Sequence, residues 1–324
     1  MVKNPLQAPF EASETATGHL TVLLNEAVDA WLSQANGLYV DGTFGRGGHS
    51  RLLLSRLGPE ARLIGIDKDP QAIAEGQRLA QQDARFQIYQ GSFTELSQAL
   101  NQFAPGQRVD GLLMDLGVSS PQLDDPERGF SFLRDGPLDM RMNPAVGQSA
   151  AQWLAQASEE AMSDVFFHLG EERYARRIAR ALVAAREQAP ILRTGQLAEL
   201  VKAAHPRWEK NKHPATRVFQ AIRIHINREL DDLDVLLSQA LDHLAPQGRL
   251  VVISFHSLED RRVKRFIRDE TTAPVLPRHL PLPDQPFNAR LRRLGKAIRP
   301  SAAEVAANPR ARSAVMRVAE KIGD

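Results

Sequence analysis

A glycine-rich loop is the first segment whose residue types suggest ligand binding. The sequence DGTFGRGGH, residues 41–49, starts at the end of a short apolar run and leads into a helix-like stretch. Glycines allow a backbone to approach a ligand closely, and the N–H groups at the start of a helix favour anionic groups. The loop is neither a P-loop nor a complete GxGxxG motif. Its interpretation therefore depends on the residues that accompany it.

Acidic and aromatic residues follow the next strand-like runs at positions that suit an adenosine ligand. Asp67 lies 20 residues after Gly47 and ends the run RLIGID, where a carboxylate accepts both ribose hydroxyls in doubly wound folds. Phe93 follows the third run, at the place of an adenine ring. Asp115 ends the fourth run and opens the polar stretch DLGVSSPQLDD. Together with the glycine loop, these residues predict an adenosine cofactor.

The elements that position these residues alternate between strands and helices. Strands are predicted over residues 38–44, 62–67, 86–90 and 109–116, and a fifth over 249–255. Asp69 and Pro70 suit the N-cap and first position of a helix that runs to about Ala80. This alternation favours parallel βαβ units with helices on both faces of the sheet. The predicted fold class is therefore α/β.

A long interval without strands separates the fourth predicted strand from the fifth. Helices are predicted there over residues 172–188, 194–204 and 216–244, the last as a single long amphipathic helix. We therefore expect an all-helical domain, residues 125–214, inserted into a discontinuous sheet domain, residues 1–124 and 215–324. The alternation of residues 313–320 suits a terminal edge strand.

Composition narrows the classes of function. The 324 residues include no cysteine, which excludes thiolate nucleophiles, Cys-ligated zinc and iron–sulfur clusters. The histidines at positions 49, 213, 225 and 256 are scattered, and we expect no metal. No apolar run approaches the roughly 18 residues of a membrane span. Residues 1–17 lack the apolar core of a signal peptide, so a cytoplasmic protein is expected.

Positive charge is concentrated in two segments. The net charge is +2, yet residues 171–217 carry 11 basic and 5 acidic side chains, and residues 261–324 carry 15 and 6. Two basic blocks on an otherwise acidic chain favour a polyanionic partner.

Several long motifs resemble one enzyme family over almost the whole chain. They are DGTFGRGGHS, IDKDPQAI, LLMDLGVSSPQLDDPERGFSF, GPLDMRM, KHPATRVFQAIRI, ISFHSLEDRRVKRF and NPRARSAVMR. They are similar to motifs of the bacterial small-subunit rRNA cytosine-N4 methyltransferases, known as MraW or RsmH. The resemblance implies a class I, Rossmann-like fold, S-adenosylmethionine as cofactor, and methylation of cytidine 1402 in the decoding region of 16S rRNA in the small ribosomal subunit.

The resemblance also assigns residues to the site. The cofactor contacts it implies are Gly47, Gly48, His49, Asp67, Phe93, Asp115 and Gln122. Basic residues in two of the motifs are candidates for RNA binding: Lys210, Lys212, His213, Arg217, Arg261 and Arg262. We expect no membrane contact and infer no obligatory protein partner.

The chemistry of the acceptor makes Asp115 the candidate catalytic residue. The N4 amine of cytosine shares its lone pair with the ring, so a hydrogen-bond acceptor is needed to take up its developing positive charge. Asp115 or the carbonyls of residues 117–121 suit this role, whereas methylation at C5 would need a cysteine. Two alternatives stay open: a dinucleotide-dependent oxidoreductase, and a non-catalytic RNA-binding assembly factor that senses the cofactor.

Overall fold

The computed structural model describes residues 20–207, 213–273 and 287–323, which contain seven strands and thirteen helices. The strands are β1 (Leu38–Asp41), β2 (Arg62–Asp67), β3 (Phe86–Gln90), β4 (Val109–Asp115), β5 (Leu244–Ser254), β6 (Leu291–Arg293) and β7 (Val315–Lys321). The helices are α1 (Leu24–Trp31), α2 (Gly48–Arg56), α3 (Pro70–Gln82), α4 (Leu96–Phe103), α5 (Ser120–Asp124), α6 (Ala150–Gln156), α7 (Glu159–Gly170), α8 (Ala175–Gln188), α9 (Thr194–Ala204), α10 (Ala215–Asn227), α11 (Glu229–His243), α12 (Ser257–Thr271) and α13 (Ala302–Ala307). Within these residues, no helix combines the length and apolar character needed to cross a bilayer. The N-terminal segment 1–17 lies outside them.

All seven strands form one sheet in the order β3-β2-β1-β4-β5-β7-β6. The first five strands are parallel, and β7 runs antiparallel to both β5 and β6. The chain moves outward from β1 to β3 and then crosses to the other side of β1 as β4. Ligands of such sheets bind outside the carboxyl ends of the strands where the order reverses. The topology therefore places the binding crevice above β1 and β4, and the predicted α/β fold is confirmed.

Alternating residues of the central strands bury the two faces of the sheet. Val40 and Leu112 pack with α4, α11 and α12 on one face, whereas Tyr39 and Leu113 pack with α1, α2 and α3 on the other. The β4 segment is buried on both faces, as its continuous apolar run predicts. Helices cover both sides of the sheet, so its carboxyl edge is the exposed end at which polar loops collect.

Local signals located several elements correctly. The predicted bounds of β2, β3 and α9 match the structure. Asp69 caps α3 by accepting the Gln71 N–H at 2.9 Å, with Pro70 as the first helical residue. The terminal strand β7 is present, but its predicted edge position is wrong because β6 pairs with its outer side. The three residues of β6 are too few to produce a recognisable alternation.

The single helix predicted over residues 216–244 is also wrong. Arg228 has φ 53°, in the left-handed region, and separates α10 from α11. Ile222 of α10 packs in a helical cluster with α6–α9, whereas Leu233 of α11 packs against the sheet. The apolar spacing continues through the break, so periodicity alone does not reveal it. This packing favours a domain boundary at Arg228 rather than at residue 214; the two-domain division itself stays a proposal.

Replacing Arg228 with glycine tests whether the break stores backbone strain. A left-handed conformation costs a residue with a Cβ roughly 1–2 kcal/mol, and glycine avoids this cost. We therefore expect Arg228→Gly to raise the free energy of unfolding by about 1 kcal/mol in urea titrations. Arg228→Ala is the control, because it keeps the strain and removes only an exposed pairing with Asp231. A destabilised glycine variant would contradict the interpretation.

Candidate active site

A cavity opens at the carboxyl edge of the sheet, where the strand order reverses. Each of the first four strands contributes the loop that follows it. The lining residues are Gly42, Thr43, Gly45 and Arg46 after β1; Asp67, Lys68, Asp69, Gln71 and Ala72 after β2; Gly91, Ser92 and Phe93 after β3; Leu116, Gly117, Ser119 and Gln122 after β4; and Met142, Glu229 and Glu259 from later segments. Asp67, Phe93 and Gln122 thus lie together, as the sequence predicts.

Asp67 holds the loops after β1 and β2 in position from the tip of β2. Its two carboxylate oxygens accept the N–H groups of Gly45 and Asp69, both at 2.8 Å. Burial raises the pKa of Asp67, and these two N–H groups offset part of the rise. Each oxygen retains a further lone pair, so this carboxylate is able to accept hydroxyl groups from a ligand in the cavity.

Asp115 carries a buried oxygen without a partner among the described residues. Its Oδ1 makes no hydrogen bond, and its Oδ2 lies 3.9 Å from His49 Nδ1. The Asp115 N–H donates to Thr43 Oγ1 at 2.6 Å, which ties β4 to the loop after β1. Burial, reinforced by the charges of Asp41 and Glu259, raises the pKa of Asp115 well above its ordinary value. A buried carboxylate of this kind favours a cationic ligand.

The second half of the glycine loop turns away from the cavity. Gly47 has φ 73° and caps α2, and a Cβ there would lie 2.6 Å from the Phe44 ring. A Cβ on Gly48 would collide with Thr21. The buried His49 ring contacts the Val22 carbonyl at 3.1 Å. These three predicted cofactor contacts therefore do not line the cavity, and neither does Asp115, which lies at the tip of β4 directly before the lining residue Leu116.

Phe93 lies in the loop after β3 and forms part of the cavity wall. Lys68 Nζ lies 5.9 Å from the Phe93 ring centroid and donates to Asp232 at 3.2 Å. The Ser92 hydroxyl donates to the same carboxylate at 3.1 Å. These contacts fix an aromatic face beside the cavity through the first turn of α11.

Asp69 connects the cavity to the segment that begins the predicted insertion. Its buried carboxylate accepts the Gln122 amide at 2.6 Å and Arg128 Nη1 at 2.9 Å, besides capping α3. Arg128 also donates to the carbonyls of Arg141 and Met142. Gln122 is therefore held at the cavity wall by a buried, charge-assisted network.

Another part of the cavity wall comes from an ion-pair cluster that includes Glu229 and Glu259. Glu229 accepts two hydrogen bonds from Arg223, at 2.8 and 2.9 Å. Burial opposes ionisation of Glu259, but His256 at 3.1 Å, Arg223 and the Phe255 N–H outweigh it and lower its pKa. Ligand atoms of Glu229, His256 and Glu259 lie within 4.8 Å of one another, as metal ligands do. Because Arg223 already neutralises Glu229, we interpret the cluster as an ion-pair network.

The RNA-binding candidates that the structure describes, His213, Arg217, Arg261 and Arg262, are not part of the cavity lining. Lys210 and Lys212 fall outside the described residues. The His213 ring stacks on Phe132 at 4.7 Å, and Arg217 lies on α10. Arg261 pairs with Glu171, and Arg262 pairs with Asp234. Their role in RNA binding remains a prediction.

Sequence reasoning missed Arg128, Glu229 and Glu259. Arg128 is 8% exposed, yet in sequence it is one arginine of a polar loop, and nothing there marks it as buried. Glu229 follows the unpredicted break at Arg228. Glu259 lies within a noted motif, ISFHSLEDRRVKRF, but its spacing resembles an ordinary capping residue.

The strand order, the acids at the strand tips and the adjacent aromatic ring define a class I methyltransferase. A family model described as the MraW methylase family matches residues 16–322. The ribosomal RNA small subunit methyltransferase H of Chromohalobacter salexigens is 60% identical over 99% of this chain and 98% of that protein. The enzyme of the same name from Marinomonas sp. is 55% identical over 96% of this chain and all of that protein.

The chain therefore belongs to the MraW methylase family, and S-adenosylmethionine is its cofactor, as predicted. Among solved structures, an rRNA methylase from Streptococcus thermophilus aligns over 91% of this chain and 92% of its own, with a TM-score of 0.40 and 9% identity. The assignment does not depend on so distant a likeness.

Asp41 makes the stability of this edge depend on pH. Burial raises the pKa of Asp41 from 3.8 to about 6, against the Ser50 hydroxyl and the Thr43 N–H, which lower it. The folded state then binds a proton more tightly than the unfolded state, so the free energy of unfolding falls as pH rises across that interval. The loss amounts to about 3 kcal/mol.

We expect Asp41→Asn to remove the contribution of Asp41, so that the free energy of unfolding changes less between pH 3.8 and about 6. Urea unfolding measured at several pH values is the test, with the exposed Asp29→Asn as control. Parallel profiles for wild type and Asp41→Asn would contradict the assignment.

The Asp69–Arg128 pair gives a second stability prediction. Arg128→Met leaves a buried carboxylate without its charged partner, which costs about 3 kcal/mol in typical cases. The free energy of unfolding should fall by that amount. Arg134→Met is the matched control, because this exposed arginine donates only to the Asp124 carbonyl. Equal effects of the two substitutions would show that the buried pair has no special role.

Proposed function

We propose that the protein transfers a methyl group from S-adenosylmethionine to N4 of a cytidine, position 1402, in the decoding region of 16S rRNA. The observation that carries the proposal is the Asp115 carboxylate at the tip of β4, whose Oδ1 makes no hydrogen bond among the described residues. Gly117, in the loop after β4, has φ 94°, and a Cβ there would meet nothing closer than 3.9 Å. Gly117 therefore adds no side chain to the loop that follows Asp115.

The cavity suits the chemistry of the donor. Asp67 is placed to accept ribose hydroxyls, and Phe93 offers a face for an adenine ring. Gln122 supplies a polar wall that Asp69 holds in place. When bound, S-adenosylmethionine supplies an electrophilic methyl group on a positively charged sulfur. Asp67 would hold the ribose of that donor, and its buried carboxylate would favour a cationic ligand over an anionic one.

Asp115 supplies what the N4 amine lacks as a nucleophile. By accepting an N4–H hydrogen bond it favours a pyramidal nitrogen whose lone pair points at the methyl carbon. A methylated N4 would carry positive charge until one of its protons left, and Asp115 is the residue that would accept that proton. The raised pKa of Asp115 makes its carboxylate a stronger proton acceptor. His49 Nδ1 lies 3.9 Å from Asp115 Oδ2 and helps to orient this carboxylate.

Other targets and functions fit less well. C5 methylation of cytosine needs a cysteine nucleophile, and the chain has none. A purely RNA-binding assembly factor would not need an acid with a buried, unsatisfied oxygen at the tip of β4. The ribosomal RNA methyltransferases that are 55% and 60% identical support small-subunit rRNA as the substrate, which in turn implies a cytoplasmic location.

Nucleoside analysis after methyl transfer tests the proposal. Small ribosomal subunits from a strain lacking this protein would be incubated with labelled S-adenosylmethionine and the purified enzyme. We expect one label per subunit, recovered as N4-methylcytidine at the proposed position. Label in another nucleoside, or none, would refute the assignment.

Substitutions of the two strand-tip acids should separate binding from chemistry. Asp67→Asn loses a charged acceptor worth roughly 1.5–3 kcal/mol, so calorimetry should show S-adenosylmethionine binding about 10- to 100-fold more weakly. Asp115→Asn should reduce kcat by about 100-fold or more through loss of the proton acceptor, while it retains most cofactor affinity. If Asp115→Asn loses binding in proportion to activity, Asp115 serves the cofactor and not the reaction.

A further inference from the structure

A second groove, on the flank of the sheet domain, has an entirely cationic charged lining. It lies between α12 and the β6–β7 end of the sheet, and we call it the basic groove. Its charged side chains are Lys264, Arg268, Arg293, Lys296 and Arg317, and no acid occurs among the described residues that line it. Thr271 and Thr272 add two hydroxyl groups.

Three of these five charges are uncompensated. Arg317 forms two hydrogen bonds with Asp260, and Arg268 pairs with its neighbour Asp269. Lys264, Arg293 and Lys296 are exposed and form no ion pair within residues 20–207, 213–273 and 287–323. Like charges gathered in a concave surface repel one another, so this arrangement is costly unless an anion is bound.

The other side of α12 shows that this imbalance is local. A groove between α11 and α12 contains four arginines, but also Asp234, Asp269 and Glu270. Two of those arginines are paired there, Arg262 with Asp234 and Arg290 with Glu270. Beside α12, the excess of positive charge in the C-terminal block of the sequence therefore lies on the side of the basic groove.

We propose that the basic groove binds the sugar–phosphate backbone of the RNA substrate, away from the target nucleotide. Lysine, arginine and threonine side chains are common phosphate ligands. The lining contains no aromatic ring on which a base would stack, and no carboxylate or amide to read a base edge. We therefore expect contacts there to be mainly with phosphate groups, which position the RNA and carry no sequence information. The inference rests on the proposed rRNA substrate.

The location separates this contact from the methyl-transfer cavity. Helix α12 starts directly after the carboxyl end of β5, and Lys264 lies seven residues into it. At 1.5 Å per residue, Lys264 is about 10 Å along the helix and Thr272 about 20 Å. The groove therefore leads away from the cavity along the flank of the domain, and RNA that fills it extends beyond the nucleotide being modified.

Neutralising the groove tests the inference on the full-length enzyme. The variant Lys264→Ala/Lys296→Ala removes two uncompensated charges, one from each wall. The control Arg56→Ala/Arg78→Ala removes the same net charge from exposed positions on α2 and α3. The measurements are the steady-state constants on unmodified small subunits, calorimetric S-adenosylmethionine affinity, and binding of a labelled RNA oligonucleotide as a function of salt.

We expect the groove variant to raise KM for small subunits about 10-fold, with kcat and cofactor affinity unchanged. The slope of log affinity against log salt should become shallower by about 1.5, since two phosphate contacts are lost. The control should match wild type, and adding Arg293→Ala should extend both effects.

Other results would overturn the inference. An unchanged salt slope, a change confined to kcat, or equal effects of the control would each do so. Weakened binding of polyglutamate without weakened RNA binding would indicate an acidic protein as the occupant. If wild type modifies no rRNA while the groove variant still loses RNA affinity, the proposed function fails and the groove assignment stands.

Discussion

The buried carboxylate of Asp69 is the contact on which the site depends. One side chain caps α3, holds the Gln122 amide and neutralises Arg128, so three separate segments meet at a single negative charge. Arg128 in turn fixes the carbonyls of Arg141 and Met142. The Asp69 carboxylate, which caps α3, consequently also positions the cavity wall at Gln122 and the start of the helical segment at Arg128. No other described side chain joins the cavity wall to so many parts of the chain.

The acids at the carboxyl edge lie close together because the sheet places them there, although their proximity is unfavourable. Parallel strands end at the same edge, which places Asp41, Asp67 and Asp115 in one poorly solvated region. Burial raises the pKa of each, and repulsion from a neighbouring carboxylate adds to this: from Asp67 on Asp41, from Asp69 on Asp67, and from Asp41 and Glu259 on Asp115. A cationic ligand lowers that cost, whereas an anionic one increases it. The geometry that brings these carboxylates together destabilises this edge of the sheet. The same geometry favours a positively charged cofactor, which would offset the repulsion.

The sequence predicted those parts of the structure that short-range signals determine. The N-cap at Asp69 and the acids at the tips of β2 and β4 follow from local chemistry and strand endings. The break at Arg228 was missed because arginine is a good helix former and the apolar spacing runs through it. Gly47 and Gly48 are predicted cofactor contacts, and packing against Phe44 and Thr21 gives each of them a second reason to be glycine. That distinction depends on which side of the loop faces the cavity, which sequence spacing does not encode.

The distribution of charge constrains how a nucleic acid approaches the proposed site. The cavity wall is rich in carboxylates, so a phosphate inside it would be repelled, whereas an uncharged base would not. The basic groove offers the opposite environment on the flank of the same domain. A polynucleotide satisfies both only if its backbone stays outside while one base leaves its stack and enters the cavity. The electrostatics of the two surfaces thus favour extrusion of the target base.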